Sequence, residues 1–296
     1  MDIAVVDWGS RPDFLLKRLY PDARIVAADP MVDLDTVVRE AQGRFRAPGL
    51  WVLHLNVSFC ERWWRHREET LAQLKVLGCR VINGDILDVR KSTIQKLNAE
   101  LALPSVRVSR DDDFFTRVIV KTEYNYGGVP ESHLSPIEVK NLGLLASKGC
   151  SIQTFDQYRV CERGQVDEAV WQDERLVVEK FVENERNRIC RFYRCGGRAV
   201  LSEVVNCDAI KKMLPGLPRE NWHLSFGEDY PTTHERLVRN ATKMCERMNL
   251  EFGALDIAID QDGCPYIIDV NPTPGWGAED QEGMLDFLRG GFDTPS

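Results

Sequence analysis

Along the first third of the chain, short apolar runs alternate with longer stretches of helical spacing. The runs are IAVVDW (3–8), ARIVAAD (23–29), LWVLHL (50–55) and CRVING (79–84), closed by Gly, Pro, Asp or Asn. Brief apolar segments with such punctuation read as strands, and the periodic stretches between them as helices. That order predicts an open, mostly parallel sheet with helices on its faces. The first strand runs into DWGSRPD and not GxGxxG, so no dinucleotide fingerprint accompanies it.

Beyond Gly84 the pattern changes. DVRKSTIQKLNAEL reads as a helix that ends before Pro104, and RVIVKTE (117–123) and RLVVEKFVE (175–183) read as paired strands. Helical spacing near 135–148 and 165–172 lies between them. From Arg188 the pattern is mostly strands, RICRFYRC, RAVLSEVV, ALDIAID and PYIIDVN, interrupted by a polar helix at about 232–250 and followed by a short helix at about 279–289. The Pro- and Gly-rich segment 215–235 is expected to be the longest loop. The fold class is therefore α/β, turning α+β in the carboxy-terminal half.

Composition narrows the function classes. With 296 residues, 43% hydrophobic and 28% charged, the chain suits a soluble protein with a sizeable core. No apolar run approaches the ~20 residues that span a bilayer, and MDIAVVDWGS lacks the basic region of a signal peptide, so a cytoplasmic protein without membrane partners is expected. A net charge of −8 argues against a surface that tracks nucleic acid. The stretch ERWWRHREE (61–69) is read as the start of an amphipathic helix with Trp63 and Trp64 packed inward, in preference to a basic-aromatic binding patch. Nine cysteines without a CxxC pair read as reduced thiols, and the five histidines lack metal-ligand spacing.

The chemistry concentrates in GALDIAIDQDGCPYIIDVNPTPG (253–275), two apolar strands around a turn with carboxylates inside them. Asp269 and Asn271 are two apart and share a face of an extended chain, and Asp256 lies on the partner strand. Two carboxylates and an amide oxygen form a hard ligand set suited to Mg²⁺, which takes few protein carboxylates and leaves other positions to water and phosphate. A surface hairpin with acidic residues in water is the plain alternative. Upstream, VIVKTEYNYGGVPE (118–131) delivers Lys121 from a strand into a turn with Gly127 and Gly128, where backbone amides and an ammonium can meet phosphate, although NYGG also makes an ordinary turn.

In this order the motifs resemble the ATP-grasp carboxylate–amine ligases, most closely the glutathione synthetase and ribosomal-protein glutamate ligase type, over roughly residues 88–277. The resemblance implies an ATP-grasp fold in three segments: an amino-terminal α/β domain (1–86), a central subdomain (87–180) and a carboxy-terminal subdomain with the metal hairpin (181–296). It implies that Lys121 and the YGG flap contact ATP phosphates, with Lys91 or Arg90 before Thr93 supplying an earlier cation. LVVEKFV (176–182) is similar to the linker that brackets adenine, which implies roles for Glu179, Lys180, Phe181 and Val182, with Glu183 or Glu185 as the ribose carboxylate. Arg191 stands where the family has an Arg facing the γ-phosphate and the acyl phosphate. Asp256, Asp269 and Asn271 match the metal hairpin, for one or two Mg²⁺, with Mn²⁺ as the expected substitute. Asp269 stands where Glu is commoner, Ile189 where an Asp often precedes the Arg, and Thr122 where Pro is common.

The activity so implied is ATP-dependent: a carboxylate is activated as an acyl phosphate and joined to an amine, with release of ADP and phosphate. The partners are ATP, a small-molecule or peptide carboxylate and an amine, with homo-oligomerisation left open. Lys211, Lys212, Arg219 and His223, in the expected loop at 207–229, either bind an anionic substrate or are solvated. Two other readings use the same nucleotide site: a kinase acting on a hydroxyl, and a non-catalytic nucleotide-binding module.

Overall fold

β1 (Ile3–Trp8), β2 (Arg24–Ala27), β3 (Leu50–Leu55) and β4 (Arg80–Ile82) form a sheet in the order β2-β1-β3-β4, every pairing parallel, as the alternating pattern predicts. β3 is buried at all six positions, as a central parallel strand covered on both faces should be. The computed structural model describes the chain apart from residues 1, 9–13, 29–32, 45–48, 112–116, 145–157, 185–187, 207–209, 211–218, 227–233, 277–282 and 294–296. Trp63 and Trp64 are buried against one face of this sheet, as expected. The single helix anticipated there is instead two, Cys60–Trp63 and Arg67–Val76. Consecutive helical side chains point about 100° apart, so a break at Trp64 lets both indoles reach the core.

A second, three-stranded sheet has the order β6-β5-β7, with β5 (Arg117–Thr122), β6 (Arg159–Glu162) and β7 (Leu176–Lys180). β5 and β7 pair antiparallel from Val118↔Lys180 to Thr122↔Leu176, the pairing expected from their apolar patterns.

The third sheet is antiparallel, in the order β10-β9-β8-β11-β12: β8 (Arg188–Cys195), β9 (Arg198–Asn206), β10 (Arg219–Phe226), β11 (Phe252–Ile259) and β12 (Pro265–Asn271). β10 corrects the sequence reading, because it falls inside the segment expected to be a long loop. Pairing with β9 from Arg219↔Asn206 to Phe226↔Val200 gives this backbone ladder partners that its Pro- and Gly-rich flanks do not reveal. Arg219 and His223 thus hold strand positions, while Lys211 and Lys212 lie outside the described residues.

One face of this sheet is covered by the helices Lys91–Glu100 and Glu235–Met248, around Phe192, Leu201, Leu237, Met244, Leu255 and Val270. The second helix buries Leu237, Ala241, Met244 and Cys245, the spacing of one helical face, and is stopped by Asn249 in the left-handed region at φ 53°. The first helix buries Gln95 and Asn98, whose amides donate to the Ile267 carbonyl at 3.2 and 3.1 Å. This satisfies a carbonyl of the outermost strand, β12, where no further strand could.

Two clasps join the opposite face to the amino-terminal sheet. Asn83 accepts from the Phe252 amide (3.1 Å) and donates to its carbonyl (2.7 Å), in place of a neighbouring strand. The Leu15 amide donates to the Pro274 carbonyl (2.8 Å), beside a Phe14↔Gly275 bridge. The loop after β12 is thereby anchored against the first sheet.

Candidate active site

Registers across three neighbouring strands set the core of the site. Arg191 on β8 lies opposite Asp256 on β11, and Asp256 lies opposite Asp269 on β12, so three charged side chains share one row. After this row the β11–β12 register shifts, from Asp256↔Asp269 to Ile257↔Ile267, leaving Ile268 as a bulge. Ile267 and Val270 pack into the helix-covered core, whereas Ile268 joins Ala258 and Ile189 in lining a cavity on the other face. The bulge places Ile268 and Asp269 on the cavity side together, which strict alternation forbids.

Arg191 Nε is 2.8 Å from Asp256 Oδ1, an ion pair without hydrogen-bond alignment. Lys91 Nζ is 3.8 Å from Asp269 Oδ1 and donates to the Tyr124 carbonyl at 2.6 Å. Burial disfavours both cations, but Asp256 and its neighbours at Arg191, and Tyr158, Asp269, Glu179 and Glu123 at Lys91, outweigh it and hold both above their usual pKa. Asp269 Oδ1 is buried without a hydrogen bond. Asn271 is arranged differently from the carboxylates. Its Oδ1 accepts from Asn125 Nδ2 (3.1 Å), the Thr273 amide (2.8 Å) and the Thr273 hydroxyl (3.2 Å), so a metal contact there requires displacing a donor. Among the described residues no three His, Cys, Asp or Glu side chains form a metal cage. Two facing carboxylates, one with an orphaned buried oxygen, do fit an ion that completes its shell with phosphate oxygens and water.

A cavity of about 340 Å³ lies between the second and third sheets. Lys121, Glu179, Lys180, Phe181, Val182 and Glu183 line one side of it. Lys121 Nζ and Glu179 Oε2 are 2.5 Å apart and both side chains are buried. The Lys180 amide donates to the Val106 carbonyl (2.8 Å) and the Phe181 amide to the Arg117 carbonyl (3.2 Å), which holds the end of β7 and the segment after it in place. Glu183 is half-exposed at the rim, 2.7 Å from Arg117 Nη1. Glu185 lies outside the described residues.

Gly127 and Gly128 lie in a tight turn, Asn125–Gly128, at φ 62° and 76°, a conformation glycine adopts freely. The turn is not an open flap, because both glycines are buried and neither lines the cavity. The Asn125 amide donates to Ser58 Oγ (2.7 Å), and the Tyr126 hydroxyl donates to the Thr273 carbonyl. NYGG is thus clasped between the first sheet and the loop after β12. Tyr126 itself sits at φ 48°, strained for a residue with a side chain.

Glu131, which closes the same motif, was not singled out from the sequence. Its Oε1 accepts from the Ser58 amide at 2.8 Å. Burial pushes its carboxyl up from 4.5 to about 7, against the opposing hydrogen bonds from Ser58. A carboxyl held more tightly protonated in the folded state stabilises most below its unfolded pKa, and this contribution is lost as pH rises to the folded value. Relative to Glu131→Gln, which keeps the acceptor for Ser58, the parent should lose roughly 3 kcal/mol of unfolding free energy between about pH 4.5 and 7. Urea denaturation of both proteins across that range measures it; a pH-independent difference would show that Glu131 does not carry this proton.

Ser58, Asn125, Tyr126 and Thr273 are further residues that no local pattern marks, since each matters only through a partner distant in sequence. His54 is buried and paired with Asp7 at 3.1 Å in the first sheet, apart from this site.

No protein-family model matches the chain, and no curated protein matches it. Solved structures do. The ATP-grasp ligase PsnB in complex with minimal precursor, Mg and ADP is 12% identical, with 97% of this chain and 96% of that chain covered and a TM-score of 0.54. Its complex with a phosphomimetic variant of the precursor, Mg and ADP gives 11%, 99%, 99% and 0.54. The ADP complex of PurK, N5-carboxyaminoimidazole ribonucleotide synthetase, is 15% identical at a TM-score of 0.51, with 92% of this chain but only 64% of that one covered. The chain therefore has the ATP-grasp fold.

Proposed function

We propose that the chain is an ATP-dependent ligase that activates a carboxylate as an acyl phosphate and joins it to an amine, releasing ADP and phosphate. The observation that carries this reading is the row Arg191–Asp256–Asp269 on three adjacent strands, with the buried ammonium of Lys91 beside it. Lys121 at the cavity extends the same set of charges. Opposite charges at such density fit a metal–polyphosphate ligand, whose cation and anions would take one set each.

In this reading Asp256 and Asp269 hold Mg²⁺, and Asn271 orients the Thr273 turn or joins the metal when a donor is displaced. A bound Mg²⁺ would supply charge neutralisation for the transferring phosphoryl group. Lys91, Lys121 and Arg191 hold phosphate oxygens, and the segment from Glu179 to Val182, at the end of β7, borders the base, with Glu183 or Glu185 at the ribose. The substrate carboxylate oxygen attacks the γ-phosphorus as ADP leaves. The amine then attacks the carbonyl carbon, phosphate departs, and the amine loses its proton. Gly127 and Gly128 would offer backbone amides to phosphate only after their buried turn opens. The same proposal divides the chain at 1–86, 87–180 and 181–296, with nucleotide between the second and third segments. A cytoplasmic location is supported by the free thiols of Cys79, Cys161, Cys190, Cys195, Cys245 and Cys264; no described helix is long and apolar enough to cross a membrane.

Calorimetric titration with a non-hydrolysable ATP analogue should show binding that depends on Mg²⁺ and vanishes on chelation. No binding at millimolar nucleotide would sink the reading. The PsnB complexes contain Mg and ADP, which makes that pair the natural second probe.

A further inference from the structure

The first sheet carries a polar cluster that the ligase reading leaves unused. The chain leaves β1 for β2 on one side and crosses back to β3 on the other, so the strand order reverses between β1 and β3. Open parallel sheets bind ligands at such a switch point, at the carboxyl ends of the strands. Asp7 and His54 stand opposite each other there, each one residue before its strand ends. His54 Nδ1 is 3.1 Å from Asp7 Oδ1, and Lys17 Nζ, on the helix Leu15–Leu19, is 3.7 Å from Asp7 Oδ2. A carboxylate can only accept, so Nδ1 carries the hydrogen of this pair. His54 is 1% exposed, and its Nε2 is buried without a hydrogen-bond partner among the described residues. A cavity of about 80 Å³ lies beside the cluster, lined by His54, Lys17 and the apolar side chains of Val5, Leu16, Ala23 and Ile25. It shares no lining residue with the nucleotide cavity. Ile25 is 44% exposed, so this cavity borders solvent.

The three polar side chains set the charge that this cavity accepts. With a neutral imidazole, Asp7 and Lys17 cancel. A carboxylate cannot bind the bare lone pair of Nε2, so it must arrive with a proton from solvent, which makes His54 an imidazolium donating from Nδ1 to Asp7 and from Nε2 to the ligand. Two carboxylates then face two cations, and the cluster stays neutral, as a buried site requires. No other titratable group at the cavity competes for that proton. Tyr20 lines it too but donates its hydroxyl to the Arg289 carbonyl, and the rings that pack on the imidazole, Phe14 and Phe252, carry no charge. The volume exceeds the ~10–15 Å³ that one water needs, and the apolar walls suit a short alkyl tail. We propose that this cavity binds a short aliphatic carboxylate, held by Lys17 and His54 with uptake of one proton, at a site separate from the carboxylate that reacts at the nucleotide. The inference is independent of the ATP-site reading.

The test is titration of the full chain with sodium propionate, read by NMR from the ring nitrogens of isotope-labelled histidine, with sodium chloride at matched ionic strength as the reference. One histidine is expected to move saturably from the neutral to the imidazolium pattern, and His54→Gln should remove that signal. Lys17→Met should weaken propionate binding by at least about tenfold, because it takes away the cation that faces the carboxylate. Calorimetry in two buffers of different ionisation enthalpy should give one proton taken up per propionate bound. A cavity that holds only water predicts none of these changes. The proposal is overturned by a titration without saturation, by an equal response to chloride, or by a response that Lys17→Met leaves intact. Should His54→Gln fail to fold, Lys17→Met still decides the outcome, since the Lys17 side chain is partly exposed and its loss leaves the Asp7–His54 pair in place.

Discussion

Asp269→Asn should lower ADP formation by about 10²-fold or more while leaving the fold intact. The substitution keeps the shape of a side chain whose Oδ1 makes no hydrogen bond, so little packing changes. It removes one of two facing carboxylates, and with it half the protein charge available to a dication at the hairpin. Loss of one group that stabilises transition-state charge typically costs on the order of 10²–10³ in kcat. The measurement is steady-state ADP release with the acid and amine that stimulate the parent most in a substrate screen, accompanied by a Mg²⁺ titration. The variant should require more Mg²⁺ and still not recover the parent rate. Near-parent turnover would remove Asp269 from the metal set.

Hydroxylamine supplied in place of the amine should trap the activated acid as a hydroxamate, only with ATP present, and Lys121→Met should reduce the yield by about 10²-fold or more. Lys121→Met by itself strands Glu179 as a buried charge without its partner, which typically costs ~3–5 kcal/mol of stability. The double variant Lys121→Met/Glu179→Gln removes that burden. It should regain thermal stability but not hydroxamate formation, which separates chemistry from folding. With an acid proven to stimulate ADP release, a phosphorylated hydroxyl and no hydroxamate would assign the same nucleotide site to a kinase.

Much of this molecule follows from local pattern alone. The apolar runs mark ten of the twelve described strands, all but β6 and β10, and IAVVDW, LWVLHL, RVIVKT and RICRFYRC are strands within a residue or two of the expected limits. The two-residue spacing of Asp269 and Asn271 places them on one face because side-chain direction along a strand is a purely local property. The order of Lys91, Lys121, the strand at Glu179, Arg191 and the acidic hairpin is likewise a property of the chain, and it carries the family resemblance that implies nucleotide chemistry.

Tertiary structure decided what depends on residues far apart in the chain. β10 exists because β9 is there to pair with it, and its composition carries no trace of that partner. The opposition of Arg191 to Asp256 and of Asp256 to Asp269 is a matter of register between strands, and the bulge at Ile268 alters which side chains face the cavity without altering the sequence around it. NYGG taken alone reads as a turn, and the family resemblance implies a flap, but Ser58, Asn271 and Thr273 hold it as a buried clasp. The resemblance implies a place beside the base for Glu179, and only the pairing of β5 with β7 brings Lys121 Nζ within 2.5 Å of its carboxylate. Hydrophobic periodicity records where a side chain points relative to its own backbone; partners, ion pairs and desolvation arise between segments, and they exist only once the chain has closed on itself.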